Sequence, residues 1–206
     1  MNRMISRLVT VLVVSSLSVY CQRANRILDK IEAPVKVLNG SQNHRDSSGL
    51  EDLEEEISLR NEIPISKAVL KTWLPERVNN FERVQMLSGH RDQSGIISVL
   101  ADYQIPDSSK VAVKVEILDG AGENGSLLIK ASQERLNLDI EENKNGTVTR
   151  IYLRNGLRVR ETENAAQNYS EIEFVDQSRF LFHLTGFGIS IPQLWGFSDS
   201  ASFSHQ

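Results

Sequence analysis

The chain opens on its least patterned stretch. Leu8 to Tyr20 (LVTVLVVSSLSVY) carries no charge, and Met1 to Arg7 before it holds Arg3 and Arg7 and no acid. A short basic region followed by an apolar run of this kind is the pattern of a secretory signal. As a helix the run would reach roughly 20 Å, short of the ~30 Å hydrocarbon core of a bilayer. No polar face interrupts it, as a buried amphipathic helix would require. From Gln22 to Gly49 there is no sustained period. Asn39 to Gly49 (NGSQNHRDSSG) is small and polar and reads as linker. Leu50 to Arg60 places Leu50, Leu53 and Ile57 at helical spacing among five acids, an amphipathic and solvated helix.

Period-two alternation dominates beyond residue 80. Strands are predicted over Phe81–Leu87, Ile96–Tyr103 and Lys110–Leu118, where Val111, Val113, Val115 and Ile117 alternate with Ala112, Lys114, Glu116 and Leu118. Thr147–Arg154 and Leu157–Thr162 flank Asn155-Gly156, the sequence of a two-residue hairpin turn. That turn would pair Arg154 with Leu157, Tyr152 with Val159, Arg150 with Glu161 and Thr149 with Thr162. A last pair is Tyr169–Val175 and Arg179–Thr185, with Phe180, Phe182 and Leu184 inward. Helical spacing is confined to Lys67–Trp73, capped by Ser66 and ended by Leu74-Pro75, and to Ser126–Leu136, with Leu127, Leu128, Ala131 and Leu138 facing inward. Ile191–Phe197 reads as a short helix or turn, and Ser198 to Gln206 as a frayed tail. The expected organisation is a signal peptide over 1–20, tether and amphipathic helix over 21–64, and an α+β domain over 65–197. In that domain a mostly antiparallel, twisted sheet of six or seven strands would pack against one main helix near 126–137.

Charge and cysteine count narrow the function. The 206 residues carry a net charge of -4, which argues against a nucleic-acid partner. Removing residues 1–20 takes the 23 basic residues to 21 against 27 acids, a net of -6. A single cysteine excludes an intramolecular disulfide and an all-thiolate metal site. The four histidines, His44, His90, His183 and His205, are dispersed and form no metal motif. No metal and no cofactor is expected.

One motif argues for an enzyme. Gly120-Ala121-Gly122-Glu123-Asn124-Gly125 spells G-x-G-x-x-G after a predicted strand and before a predicted helix, with Asp139, Glu141 and Glu142 about 20 residues on. Three features oppose dinucleotide binding. The strand before it has a polar second face, unlike a central parallel strand. The chain beyond Leu138 offers hairpins and no repeated strand–helix–strand unit. Asp119 and Glu123 bring negative charge into a loop meant for pyrophosphate. Gly120, Gly122 and Gly125 therefore read first as a strand-to-helix connection capped by Ser126 or Asn124. A weak calcium loop of Asp119, Glu123 and Asn124 is the lesser reading. Arg150, Arg154, Arg158 and Arg160 crowd the predicted hairpin, spread over both of its faces, as a solvated edge or as a patch for an anionic ligand.

Two resemblances bear on location. Cys21 directly follows the apolar run, and Leu17-Ser18-Val19-Tyr20-Cys21 resembles the lipobox of bacterial lipoprotein precursors. The resemblance implies acylation of Cys21; ordinary signal cleavage nearby and an uncleaved anchor are the alternatives. Residues 65–197 resemble a group of uncharacterised bacterial envelope proteins through Leu74-Pro75, Ser98 to Tyr103 with Ala101, Ile117-Leu118-Asp119-Gly120-Ala121-Gly122, and Arg179-Phe180 through Gly186. That group often has a longer C-terminal helix than this chain is expected to carry. The element order is also similar to the sandwich of PsbP-type extrinsic photosystem proteins, an analogy of fold alone. The resulting expectation is a non-enzymatic envelope lipoprotein, anchored through Cys21 on the periplasmic or outer surface. It would act as a binding or assembly module, its partner being another envelope protein. The alternatives are a nucleotide-dependent enzyme using Gly120–Gly125 and a soluble periplasmic protein binding an anionic ligand.

Overall fold

A computed structural model of the chain describes residues 58–89, 95–106 and 108–203. The signal-like run, Cys21, the linker, His44, His90 and His205 lie outside the described residues. Among the described residues nine strands form, β1 (Arg77–Val78), β2 (Phe81–Ser88), β3 (Ile97–Ile105), β4 (Ser108–Asp119), β5 (Ile140–Lys144), β6 (Thr147–Arg154), β7 (Leu157–Asn164), β8 (Tyr169–Asp176) and β9 (Phe180–Phe187). Helices are α1 (Lys67–Thr72), α2 (Glu123–Leu136) and α3 (Ile191–Ala201), and residues 58–61 are also helical. All nine strands join one antiparallel sheet in the order β1-β2-β3-β4-β9-β8-β7-β6-β5. The chain thus runs through two meanders joined by α2, and β9 returns to lie beside β4.

This corrects the expected six or seven strands on one main helix. The two unforeseen strands, β1 and β5, are the two edges of the sheet. β5 reads Ile-Glu-Glu-Asn-Lys and is exposed from Glu141 to Lys144. An edge strand with little covered surface needs no apolar alternation, so hydrophobic patterning does not report it. Helices lie on both faces rather than one. α1 and α3 cover the face built from Val99, Ala101, Tyr103, Val113, Val115, Ile117, Phe182 and Leu184, all essentially buried. α2 lies on the other face, where Ile129 packs with Leu59 and Ala121 against Val175 and Leu181.

Local expectations hold where alternation was strong. The β6–β7 register pairs Arg154 with Leu157, Tyr152 with Val159, Arg150 with Glu161 and Thr149 with Thr162, as the Asn155-Gly156 turn requires. Ser66 caps α1, its Oγ accepting from Val69 N at 3.3 Å. They fail on the face and start of α2 and at the C-terminal end. α2 starts at Glu123 and buries Ile129, Ser132 and Leu136, whereas Leu127 and Leu128 are 54% and 40% exposed. Its N-cap is Gly122, with no side-chain cap from Ser126 or Asn124. The expected fraying from Ser198 gives way to a helix reaching Ala201. Phe203 is buried beyond it, 5.9 Å from the Phe182 ring and 6.4 Å from that of Phe197.

One ion pair ties the segments together. Asp119, at the end of β4, has no exposed surface. Its Oδ1 accepts from Arg179 Nε at 2.7 Å and Ala121 N at 3.0 Å, and its Oδ2 from Arg179 Nη2 at 2.9 Å and Ile65 N at 2.7 Å. Arg179 Nη1 also donates to Glu62 Oε2 at 2.5 Å. Burial of a carboxylate is tolerated here because all its bonds come from a bidentate guanidinium and two backbone amides. Asp119→Ala should lower the unfolding free energy by about 3–5 kcal/mol, because it removes the acceptor of the Ile65 and Ala121 amides and of two Arg179 nitrogens. The check is urea denaturation of Asp119→Ala, Arg179→Ala and the double variant, whose combined loss should be less than additive.

Candidate functional site

The glycine motif is a packing device. A Cβ on Gly120 would sit 2.1 Å from Ile129 Cγ1 and 2.6 Å from Arg179 O, and one on Gly125 would sit 2.7 Å from Gly120 C. Both therefore permit α2 to lie close against the ends of β4 and β9. Gly122 has φ +88, the left-handed conformation that starts the helix. The strand before the motif is antiparallel to both of its neighbours, unlike the parallel strand that precedes a dinucleotide loop. Asp119 is saturated by Arg179 and backbone amides, and Glu123 pairs with Arg60 at 2.6 Å, which occupies two of the three expected calcium ligands. Among the described residues, no group of three His, Cys, Asp or Glu side chains could hold a metal ion.

The four arginines separate. Alternation along β6 and β7 sends Arg158 and Arg160 to the α2 face and Arg150 and Arg154 to the α3 face. Arg158 closes the C-terminus of α2, donating to Leu136 O at 2.8 Å and to Leu138 O at 3.0 Å, and it pairs with Asp139 at 2.8 Å. Arg160 lies between Glu171 at 2.5 Å and Glu173 at 2.9 Å. Arg150 Nε pairs with Glu141 at 3.2 Å, on the neighbouring β5, rather than with its register partner Glu161. The guanidinium of Arg154 lies 4.0 Å over the Trp195 ring and 3.7 Å from Asp199. The hairpin therefore does not present four free cations on one surface.

What the α3 face does form is a groove of about 580 Å³ between β6–β7 and α3. Val148, Tyr152, Ile191, Pro192 and Trp195 supply its apolar and aromatic surface, and Arg150, Arg154, Glu161, Glu163 and Asp199 its charges. The volume lies in the range of small-molecule sites. Glu161 organises the groove, because its Oε1 accepts both from Tyr152 Oη and from Trp195 Nε1, each at 2.6 Å. Burial and the bond to Glu161 push the Tyr152 hydroxyl up to about 12, so it remains a donor at neutral pH. The sequence shows Glu161 only as the cross-strand partner of Arg150, and Trp195 only as part of a short helix or turn. The available signal was Gly196, a glycine inside an otherwise apolar helix.

A second polar cluster occupies the α2 face. His183, one of the four dispersed histidines, is half-buried among carboxylates. Its Nε2 lies 3.4 Å from Glu171 Oε2, with Glu173 on the same neighbouring strand and Glu116 opposite it on β4. Glu171 also accepts from Tyr169 Oη, and Glu173 pairs with Arg135 of α2. Burial alone would raise the Glu171 carboxyl, but His183, Tyr169 and Arg160 together hold it down at about 2. The facing Glu171 carboxylate raises the His183 imidazole above its ordinary value, against the effect of burial.

Compared with protein-family models, with curated proteins and with solved structures, the chain finds no match.

The His183–Glu171 pair gives stability a defined pH window. The raised histidine contributes fully below its unfolded pKa of about 6.5, and this is lost as pH rises through the folded value. The lowered Glu171 contributes above the ordinary carboxylate value of 4.5 and loses that contribution as pH falls toward about 2. Urea midpoints measured across this range should therefore be highest for the wild type, relative to His183→Gln, between about pH 4.5 and 6.5. The difference should shrink on either side.

Proposed function

We propose that the chain is a non-enzymatic lipoprotein of the cell envelope. It is exported, held at a membrane surface through lipid on Cys21, and presents its sheet domain as a binding or assembly module whose site is the α3 groove. The basic and apolar start, the position of Cys21 and the polar linker support the tether. Among the described residues no helix is long and apolar enough to cross a membrane.

Gly196 is the observation that carries the binding half. It lies in the middle of α3, where glycine is about 1 kcal/mol less favourable than alanine. No steric demand of the fold explains it, because a Cβ there would meet nothing within 4 Å. Its bare surface lines the groove. A residue that weakens its own helix and relieves no clash is accounted for by something approaching the helix from the groove side. The rival reading of a nucleotide-dependent enzyme has no comparable support, since Gly120, Gly122 and Gly125 are each required by packing or by backbone conformation.

Two measurements bear on this reading. Cys21→Ser should abolish incorporation of labelled fatty acid and shift the protein from the membrane to the soluble fraction. An unprocessed variant that stays membrane-bound with unchanged label would sink the lipoprotein assignment. Gly196→Ala should raise the melting temperature by about 2–4 °C, as expected for a gain of about 1 kcal/mol in a domain of this size. A loss of stability would mean that the fold itself requires the glycine.

A further inference from the structure

The groove holds more open carboxylate than open cation. Both of its arginines are engaged, Arg150 with Glu141 and Arg154 with the Trp195 ring and Asp199. Its three carboxylates outnumber them. Glu161 spends a single oxygen on Tyr152 and Trp195. Among the described residues, no hydrogen bond or ion pair engages the Glu163 carboxylate, and the register places the residue beside Val148 on β6. An uncommitted acceptor therefore adjoins an apolar wall continued by Ile191 and Pro192.

The groove already satisfies one cation of its own. Arg154 lies over Trp195, where an aromatic face and a nearby carboxylate both favour positive charge. Tyr152, 36% exposed, offers a second aromatic surface in the same groove. From these features, and resting on the reading of the groove as a binding site, we infer that its ligand is an alkylammonium group. The charged head would lie at Glu163 and the free oxygen of Glu161, and the aliphatic stem along Val148, Ile191 and Pro192. The bare α-carbon of Gly196 leaves room for the stem. Free diamines and lysine side chains of a partner carry the same chemistry. An anionic ligand would meet carboxylates that have no counterion and arginines that are already paired.

The test is calorimetric titration of the detergent-solubilised full-length chain with cadaverine, a short N-acetylated lysine peptide, n-pentanol and citrate. Cadaverine or the lysine peptide should bind, more tightly at low salt, and about tenfold more weakly to Glu163→Gln. That variant should keep the wild-type melting temperature, because it breaks no internal bond. Binding by cadaverine alone identifies a free amine as the ligand source, and binding by the peptide alone identifies a lysine of a partner. Unchanged affinity in Glu163→Gln, equal affinity for n-pentanol, or no binding by either amine overturns the inference. Binding of n-pentanol or citrate that is weakened by Gly196→Ala would keep the groove as a site and change only its ligand class. If Gly196→Ala alters the binding of no probe, the groove reading itself falls.

Discussion

The architecture depends on the contact between Asp119 and Arg179. The aspartate ends the last strand of the first meander, and the arginine precedes the last strand of the second. Their bidentate pair fixes β4 beside β9 at one end of the sheet. The same carboxylate holds the backbone of Ile65 and Ala121, so it also sets where the chain enters α1 and where the loop to α2 begins. Gly120 N donates to Arg179 O at 2.9 Å beside this pair. Three segments distant in sequence, around Ile65, Asp119 and Arg179, therefore share one desolvated charge. An interaction of this kind adds little net stability compared with a well-packed apolar replacement, but it is intolerant of a missing partner. Its effect is to specify one arrangement of strand ends.

The two faces of the sheet are chemically different, and that difference separates structure from site. On the α1–α3 face, aromatic packing runs from Phe174 and Phe182 to Trp195 and Phe203, with ring centroids 5.0 to 5.9 Å apart along the way. That core stops at Trp195, and the groove begins on its far side. Glu161 thus binds a core residue through Trp195 and a surface residue through Tyr152 with one oxygen. On the α2 face, Arg135, Arg160, His183, Glu171 and Glu173 form ion pairs across three strands and a helix, with Arg160 Nε and His183 Nε2 left buried without a hydrogen bond. Charges there pair within the cluster, whereas the Glu163 carboxylate in the groove has no hydrogen bond or ion pair among the described residues.

The seven strands legible in the sequence were those that bury one face, where apolar residues must recur at every second position. β5 was not legible by that criterion, yet Asn145-Gly146 turns from it into β6 with φ of 54° and 79°, as Asn155-Gly156 does at 51° and 86°. The turn signal was present and outlasted the missing alternation. Helix faces were misread for another reason. Leu127 and Leu128 are apolar but exposed, while Ser132, a small polar residue, is buried where α2 approaches the sheet. Close approach selects for size, and hydrophobicity alone does not reveal it. The arginines were read correctly as members of one hairpin. Alternation on a sheet divides such a cluster between faces, and only the positions of α2, α3 and β5 show which acid each one meets. The groove was not legible, because it needs the packing of α3 on β6 and β7, elements far apart in the chain.

The return of β9 to the side of β4 has a consequence for the order of events in folding. Asp119 pairs with Phe180 and Ala112 with Phe187, so the middle of the sheet is closed by its most distant partners. Until β9 arrives, β4 is an open edge carrying Val113, Val115 and Ile117, all fully buried in the finished protein. The first meander can form from local hairpins, but it then waits, sticky and half-covered, for the rest of the chain to be made. Such long-range closure is slow and exposes the intermediate to aggregation. The hazard is thus greatest at the centre of the finished sheet, and the polar edge strand β5 offers it no protection.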